Sequence, residues 1–347
     1  MASTVETDMG TDMGPDISEV SPDLAVDVMF ACRKTAAMKA AIELDLFTLI
    51  GDGGTAASLA AAAKASERGV RVLCDYLVVN GFLIKEADTY RLTPSSRTFL
   101  VRHSPAYIGG AIEFVAAPEM LSLHLDDPAA CVRNGGALGL ANISADNPVW
   151  VKFARAVGPL VAPSAMALAA EMAEWPRKPR KVLDIAAGHG LFGLEIAKTF
   201  PEAEIVAVDW AAVLELASQN ARQFGVGGRY RTIPGSAFEV DWGSDYDLIL
   251  LPNFLHHFDI ETCAGLLKKC RNTLAPGGRV VGVEFVPNED RVSPPFPASF
   301  AWEMLATTPR GEAYTERELA EMARRAGFAD ATTKPLPPSP ASLVFFE

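Results

Sequence analysis

The sequence predicts an α/β protein: a mostly parallel sheet with an antiparallel C-terminal edge, preceded by a mainly helical N-terminal domain. Three observations carry this. Beyond residue 180, strand-like apolar runs alternate with helical ones, the pattern of a parallel sheet with crossover helices. Before residue 180 the apolar periodicity is helical almost throughout, with one alternating stretch at 82–92. A segment rich in small residues, Asp184–Gly190, joins a strand run to a helical run, where an open parallel sheet binds its ligand.

The elements follow in order. Residues 1–22 are rich in Ser, Thr, Asp and Gly, with TDMG twice, and read as a disordered leader. Residues 23–52 have helical periodicity, with Leu24, Val28, Ala31 and Thr35 near one face and Met38, Ile42 and Leu46 continuing it. Gly51, Gly53 and Gly54 end that helix. Thr55 and Ser66 are N-cap candidates for two further helices. Residues 82–92 read as a hairpin turning at Ala87–Asp88. Helices followed by a hairpin over residues 23–103 are the order of a winged helix. The DNA-binding version needs a basic recognition helix. Here the third helix offers Arg68 and Arg71 beside Glu67 and Asp75, so dimerisation is the expected use.

Residues 104–180 form a helical linker, punctuated by Pro118, Pro128 and Pro148, with a loop at Asn134–Gly136. The apolar stretch 149–174 is one or two buried helices. Its Phe153, Val157 and Met166 either pack in the core or line a ligand cavity. In the domain 181–347, strand-like runs fall at 181–186, 204–210, 230–235, 247–253 and 279–286, with helices between. A helix at 315–326 precedes a short strand and Leu343–Glu347, separated by four prolines. These last two strands suggest an antiparallel hairpin at the sheet edge.

Composition bounds the function. The chain has 347 residues, enough for two domains at roughly 150 each. A net charge of −12 argues against a nucleic-acid partner, because phosphate binding needs clustered Lys and Arg. The five cysteines, Cys32, Cys74, Cys131, Cys263 and Cys270, are scattered and without a CxxC pair. They read as reduced thiols in a cytoplasmic protein, with no metal site. No signal peptide is evident, and no apolar run approaches the roughly 18–20 residues of a membrane span. The expected partner is a small molecule.

The key segment runs from Lys181 to Gly193. Small residues let the backbone approach a ligand, and the helix that follows supplies free N–H groups. Asp209 ends the next strand, 19 residues after Gly190, where a carboxylate accepts from ribose hydroxyls. Taken literally, Gly188–Gly193 reads GxGxxG, so an NAD-dependent dehydrogenase is a competing reading. Asp184, placed to meet an amino-acid ammonium group, and the Leu274–Gly278 turn before a late strand count against it.

This order resembles the class I S-adenosylmethionine-dependent methyltransferases. More narrowly, the chain from about residue 23 is similar to the caffeate O-methyltransferase-like family of small-molecule O-methyltransferases. That resemblance implies a Rossmann-like seven-stranded methyltransferase sheet, a winged-helix dimerisation domain and a homodimer. It implies that Asp184, Gly188, Gly190 and Asp209 hold S-adenosyl-L-methionine. A family Gly-Asp-x-Phe segment contacts adenine; here Gly235, Ser236, Ala237 and Phe238 stand there, with Ser in place of Asp. Ala186 replaces the first family glycine. Trp210 and Asn253, which end two of the strand runs, complete the cofactor set.

The segment from Leu251 to Cys263 resembles the family's His-Asp-Trp…Cys segment. Alignment on Cys263 makes His256 the general base and puts His257 where plant members often carry Asp. A His near its ordinary pKa of about 6.5 is suited to taking a proton near neutral pH. The resemblance implies that Glu284 orients His256 and that Glu312 is a second family Glu, with spacing one residue longer. Trp302, Met304 and Phe300 face the substrate pocket or belong to the core. His189 either contacts the methionine carboxylate or is merely tolerated. The expected reaction is methyl transfer to a hydroxyl of an aromatic or polyketide-like molecule. Non-methylating or C-methylating chemistry on the same fold is the alternative.

Overall fold

The computed structural model describes residues 20–137 and 149–347. Most of the expected leader (residues 1–19) and the break at Pro148 lie outside the described residues. The N-terminal apolar stripe forms three helices rather than one: Asp23–Met29, Ala31–Glu43 and Leu46–Ile50. Asp45 is left-handed (φ 51°) before the third. The chain changes direction there, and Leu46, Phe47 and Ile50 turn into the core.

A two-residue strand, β1 (Gly54–Thr55), precedes the helix Ala56–Ala63. Thr55 caps that helix: its hydroxyl accepts from Ser58 N–H, and Ser58 Oγ accepts from Thr55 N–H. Ser66 caps Glu67–Val79 by accepting from Gly69 N–H. The hairpin is β2 (Leu83–Glu86) and β3 (Thr89–Leu92), and β1 pairs with β3 to give an antiparallel order β1-β3-β2. Arg71, Lys85 and the Tyr90 hydroxyl all donate to Asp75, at 3.0, 2.7 and 2.7 Å. The acid thus occupies Arg71 of the helix Glu67–Val79 and the hairpin's Lys85.

Pro118 and Pro128 open helices (Pro118–Leu125 and Pro128–Asn134) rather than interrupt them. The first helical position has no intrahelical use for an N–H. Val149–Ala173 is one helix of 25 residues despite Pro159 and Pro163. By length and composition Trp150–Ala173 is sufficient to cross a bilayer, with mean hydropathy 1.4. That corrects the expectation that no apolar run approaches span length: Lys152, Arg155 and the prolines interrupt the apolar sequence without breaking the helix. Its apolar face is core: Ala165, Leu168, Ala169 and Met172 are buried with residues of the C-terminal sheet.

That sheet has seven strands: β4 (Lys181–Ile185), β5 (Glu204–Asp209), β6 (Tyr230–Pro234), β7 (Tyr246–Pro252), β8 (Leu274–Glu284), β9 (Ala331–Pro335) and β10 (Ser342–Phe346). Their order is β6-β5-β4-β7-β8-β10-β9. The first five are parallel, and β10 pairs antiparallel with both β8 and β9. The antiparallel edge is as predicted, but the last strand lies inside and β9 is the edge. β4 and β7 mark the point where the strand order reverses, and their carboxyl ends open the crevice in which such sheets bind ligands. A helix at Pro295–Thr307, not anticipated from sequence, covers this end.

Candidate active site

The loop after β4 is shaped by three left-handed residues: Ala186 (φ 55°), Gly188 (φ 58°) and Gly190 (φ 80°). Ala186 pays the left-handed cost of about 1–2 kcal/mol that a glycine avoids. Gly190 and Gly193 allow close packing. A Cβ on Gly190 would lie 2.6 Å from the Tyr230 hydroxyl, and one on Gly193 would lie 2.8 Å from Asp184 Oδ2. Asp184 is fully buried and its Oδ2 accepts from Gly193 N–H at 3.1 Å. Burial, with the Asp209 charge adding, pushes its pKa up to about 7. It sits behind the loop and does not line the cavity. The structure therefore gives it the start of the helix Leu191–Thr199 to anchor, not the expected place against an ammonium group.

Asp209, by contrast, faces the cavity. Its Oδ2 accepts from Gly188 N–H at 2.8 Å and its Oδ1 from Trp210 N–H at 2.6 Å. One carboxylate thus fixes the loop's shape and keeps a lone pair on each oxygen. Burial raises its pKa, opposed by those two N–H donors. His189 Nδ1 accepts from Leu191 N–H at 3.0 Å, so the ring proton is on Nε2. Burial lowers its pKa to about 4, and the ring is neutral.

The cavity, about 270 Å³, is walled by this loop, Asp209 and Trp210, the turn Gly235–Phe238, residues 252–254, His257, Phe258 and the long helix from Trp150 to Val161. Among the described lining residues Asp209 is the one carboxylate and none is Lys or Arg. Phe238 and Phe254 each meet Phe258 edge-on, at 4.9 and 5.0 Å. Ser236 Oγ accepts from Phe238 N–H at 3.3 Å. Asn253 is left-handed (φ 53°), and its Oδ1 is buried without a partner among the described residues. Phe153 and Val157 line the cavity, whereas Met166 is exposed on the surface. Gly190 stands one residue outside the lining.

Lys269 was not legible as a site residue. It donates to the carbonyls of Ala237 (3.0 Å), Phe238 (3.3 Å) and Val240 (2.7 Å) and lies 3.8 Å from the Trp242 ring centroid. The cation clamps the turn in which Ser replaces the family acid. Nothing in the sequence pairs residue 269 with that turn; the helix Ile260–Thr273 brings it there.

Behind the cavity, His256 and Glu284 form a buried pair. His256 lies in a single 3-10 turn, Leu255–His257, just after β7. Glu284 ends the neighbouring β8. Glu284 Oε2 is 2.6 Å from His256 Nδ1, and Oε1 accepts from Phe254 N–H (3.0 Å) and Leu255 N–H (2.8 Å). The carboxylate therefore holds both the turn and the ring. Phe300 stands edge-on to His256 at 4.9 Å, and the His257 ring is 4.4 Å away. Burial, and then His256, push the pKa of His257 well below the ordinary value.

Three expected site residues fall elsewhere. Glu312 meets His256 through its main chain, its N–H donating to the His256 carbonyl at 2.9 Å. Its carboxylate turns back to Ala313 N–H. Trp302 is half-exposed and off the cavity; two residues from Phe300 on a helix, it points nearly the opposite way. Met304, one turn beyond Phe300, is buried but away from the lining.

Residues 26–102 match the O-methyltransferase dimerisation domain and residues 170–329 the O-methyltransferase domain. The chain is 47% identical to a Nostoc punctiforme protein described as a candidate O-methyltransferase, whose crystal structure matches with a TM-score of 0.90 over 95% of this chain and all of that one. It is 26% identical to the 3-hydroxy-5-methyl-1-naphthoate 3-O-methyltransferase of Streptomyces sahachiroi, over 93% of this chain and 94% of that protein. PigF, an S-adenosyl-L-methionine-dependent methyl transfer enzyme of Serratia solved with S-adenosylhomocysteine, is 25% identical with a TM-score of 0.81, over 94% of this chain and all of that one. Set beside the loop, Asp209 and the seven-stranded order, these likenesses displace the dehydrogenase reading of Gly188–Gly193. The chain belongs to the S-adenosylmethionine-dependent O-methyltransferases.

Proposed function

We propose that this enzyme methylates a hydroxyl of an aromatic or polyketide-like small molecule, with His256 as general base. The observation that carries this is the 2.6 Å contact between His256 Nδ1 and Glu284 Oε2. With its proton on Nδ1, His256 offers Nε2 as an acceptor, and the carboxylate stabilises the imidazolium that forms. His257 lines the cavity but has no carboxylate partner, and its basicity is depressed by burial. It is the weaker base.

The residues fit the cofactor. Asp209 is placed for the ribose hydroxyls and the aromatic wall of Phe238 and Phe258 for the adenine. The orphaned Asn253 Oδ1 is an acceptor for an N–H or O–H of the bound ligand. When bound, S-adenosylmethionine supplies an electrophilic methyl on its sulfonium. The chain's own contribution is to hold the two reactants together, worth up to roughly 7–11 kcal/mol in well-oriented cases, and to accept the hydroxyl proton at His256. The N-terminal helices leave Leu24, Val28 and Met29 exposed, which supports a homodimer through this domain; light scattering at micromolar concentration tests it.

The functional test is methyl transfer to a panel of phenols and naphthols, including the naphthoate named for the S. sahachiroi relative, by wild type, His256→Ala and His257→Ala. Loss in His256→Ala with S-adenosylhomocysteine binding retained is the expected result. An unchanged rate rules out His256 as the base, and methyl groups found on carbon would establish the alternative chemistry.

A further inference from the structure

Seven buried side-chain polar atoms lack a hydrogen-bond partner among the described residues. Three of them, Trp150 Nε1, Asn253 Oδ1 and His257 Nδ1, belong to residues lining the same cavity. A buried unsatisfied polar group costs about 1–3 kcal/mol, so each calls for a partner that the described residues do not supply, a water, an ion or a ligand. Asn253 sits beside the glycine loop's strand end. Trp150 and His257 stand together, their rings edge-on with centroids 5.7 Å apart, next to His256.

We propose that Trp150 and His257 form a hydrogen-bonding pair that selects the methyl acceptor: an uncharged aromatic molecule carrying a carbonyl or second hydroxyl oxygen beside the hydroxyl that reacts. Trp Nε1–H can only donate, so its partner is an acceptor oxygen. The neutral imidazole of His257 can donate or accept, which accommodates either oxygen type. The cavity also sets the charge. Among the described lining residues none is Lys or Arg, the one carboxylate is Asp209, and burial keeps the His189 and His257 rings neutral. With S-adenosylhomocysteine bound, which lacks the sulfonium charge, a carboxylate on the acceptor would lose its water without gaining a cation from the lining, a heavy penalty. A neutral ketone at the same position loses far less and satisfies the indole N–H. The oxygen being read lies close to the proton that His256 removes, so recognition and orientation are one event.

This inference rests on the O-methyltransfer reading, and calorimetry separates the two. S-adenosylhomocysteine is titrated first; a wild type that does not bind it overturns both readings. The loaded protein is then titrated with 1-hydroxy-2-acetonaphthone, 1-hydroxy-2-naphthoate and 1-naphthol, and the same three are assayed for methyl transfer. The expected result is the ketone binding at least tenfold tighter than the carboxylate, which has the same shape. Trp150→Phe and His257→Phe should each reduce the ketone-to-naphthol affinity ratio about tenfold, a loss of about 1.4 kcal/mol, while still binding S-adenosylhomocysteine. A carboxylate that binds as tightly as the ketone, a ketone that fails to bind, or a ratio unmoved in both variants overturns the proposal.

Discussion

His256 Nδ1 lies 2.6 Å from Glu284 Oε2, although 28 residues separate them and each follows or ends a different strand. The same carboxylate accepts from two main-chain N–H groups of the turn that carries His256. Glu284 therefore sets both where the ring is and which nitrogen holds its proton. His256→Ala should lower kcat by about 10²–10⁴. Glu284→Gln keeps the shape but loses the charge, so kcat should fall with little change in the dissociation constant for S-adenosylhomocysteine. Steady-state kinetics beside calorimetry checks both; a kcat unchanged in Glu284→Gln contradicts the orienting role.

Asp209 joins loop shape to ligand binding, because its two oxygens accept from Gly188 and Trp210 N–H groups. Asp209→Ala removes both bonds and the proposed ribose acceptor together. We expect S-adenosylhomocysteine affinity to drop by about 100-fold, the equivalent of two lost hydrogen bonds to a charged group. Calorimetry measures it, and a drop of less than threefold would contradict the assignment.

Lys269 holds three carbonyls of the turn that walls the cavity. Lys269→Met keeps the aliphatic stem over Trp242 but frees those carbonyls. Binding of S-adenosylhomocysteine should weaken about tenfold, and hydrogen exchange at residues 237–240 should speed up. Arginine at this position should restore part of the affinity, since it also donates to carbonyls. Unchanged exchange in Lys269→Met would show that the turn holds itself.

Asp184 gives a pH signature. Its pKa is raised from 3.8 to about 7 in the folded protein. The folded state therefore binds more protons than the unfolded state between those values, and stability falls as pH rises from about 4 to 7. The loss is bounded at roughly 4 kcal/mol, from about 1.4 kcal/mol for each pKa unit. Asp184→Asn keeps an acceptor for Gly193 N–H and removes the titration. Its melting temperature should gain on wild type as pH rises from 5 to 8. His189 opposes this trend in both proteins: its pKa, lowered to about 4, loses stability as pH falls below about 6.5. Parallel melting curves across that range would place Asp184 in a wetter setting.

How much was legible depends on the range of the interaction concerned. The alternation of strand and helix, the caps at Thr55 and Ser66, the small-residue loop and Asp209 at a strand end are encoded by neighbours in the chain. Each could be read from local spacing, and the resemblance singled out His256 and Glu284. Contacts between distant elements could not be read. Asp184 looks like a ligand-facing acid by position, yet the packing of Gly193 against it turns it behind the loop. Trp302 and Met304 lie outside the cavity lining, as His256 and Phe300 do, and the helix Pro295–Thr307 carries no clear apolar period, so its facing is set by what it covers. Lys269 reached the site only through the packing of its helix beside the Ala237–Val240 turn. The sequence by itself determined the order of elements and the chemistry available at the strand ends. Tertiary structure decided which side chains meet, because burial and hydrogen-bond satisfaction are settled between segments far apart in the chain.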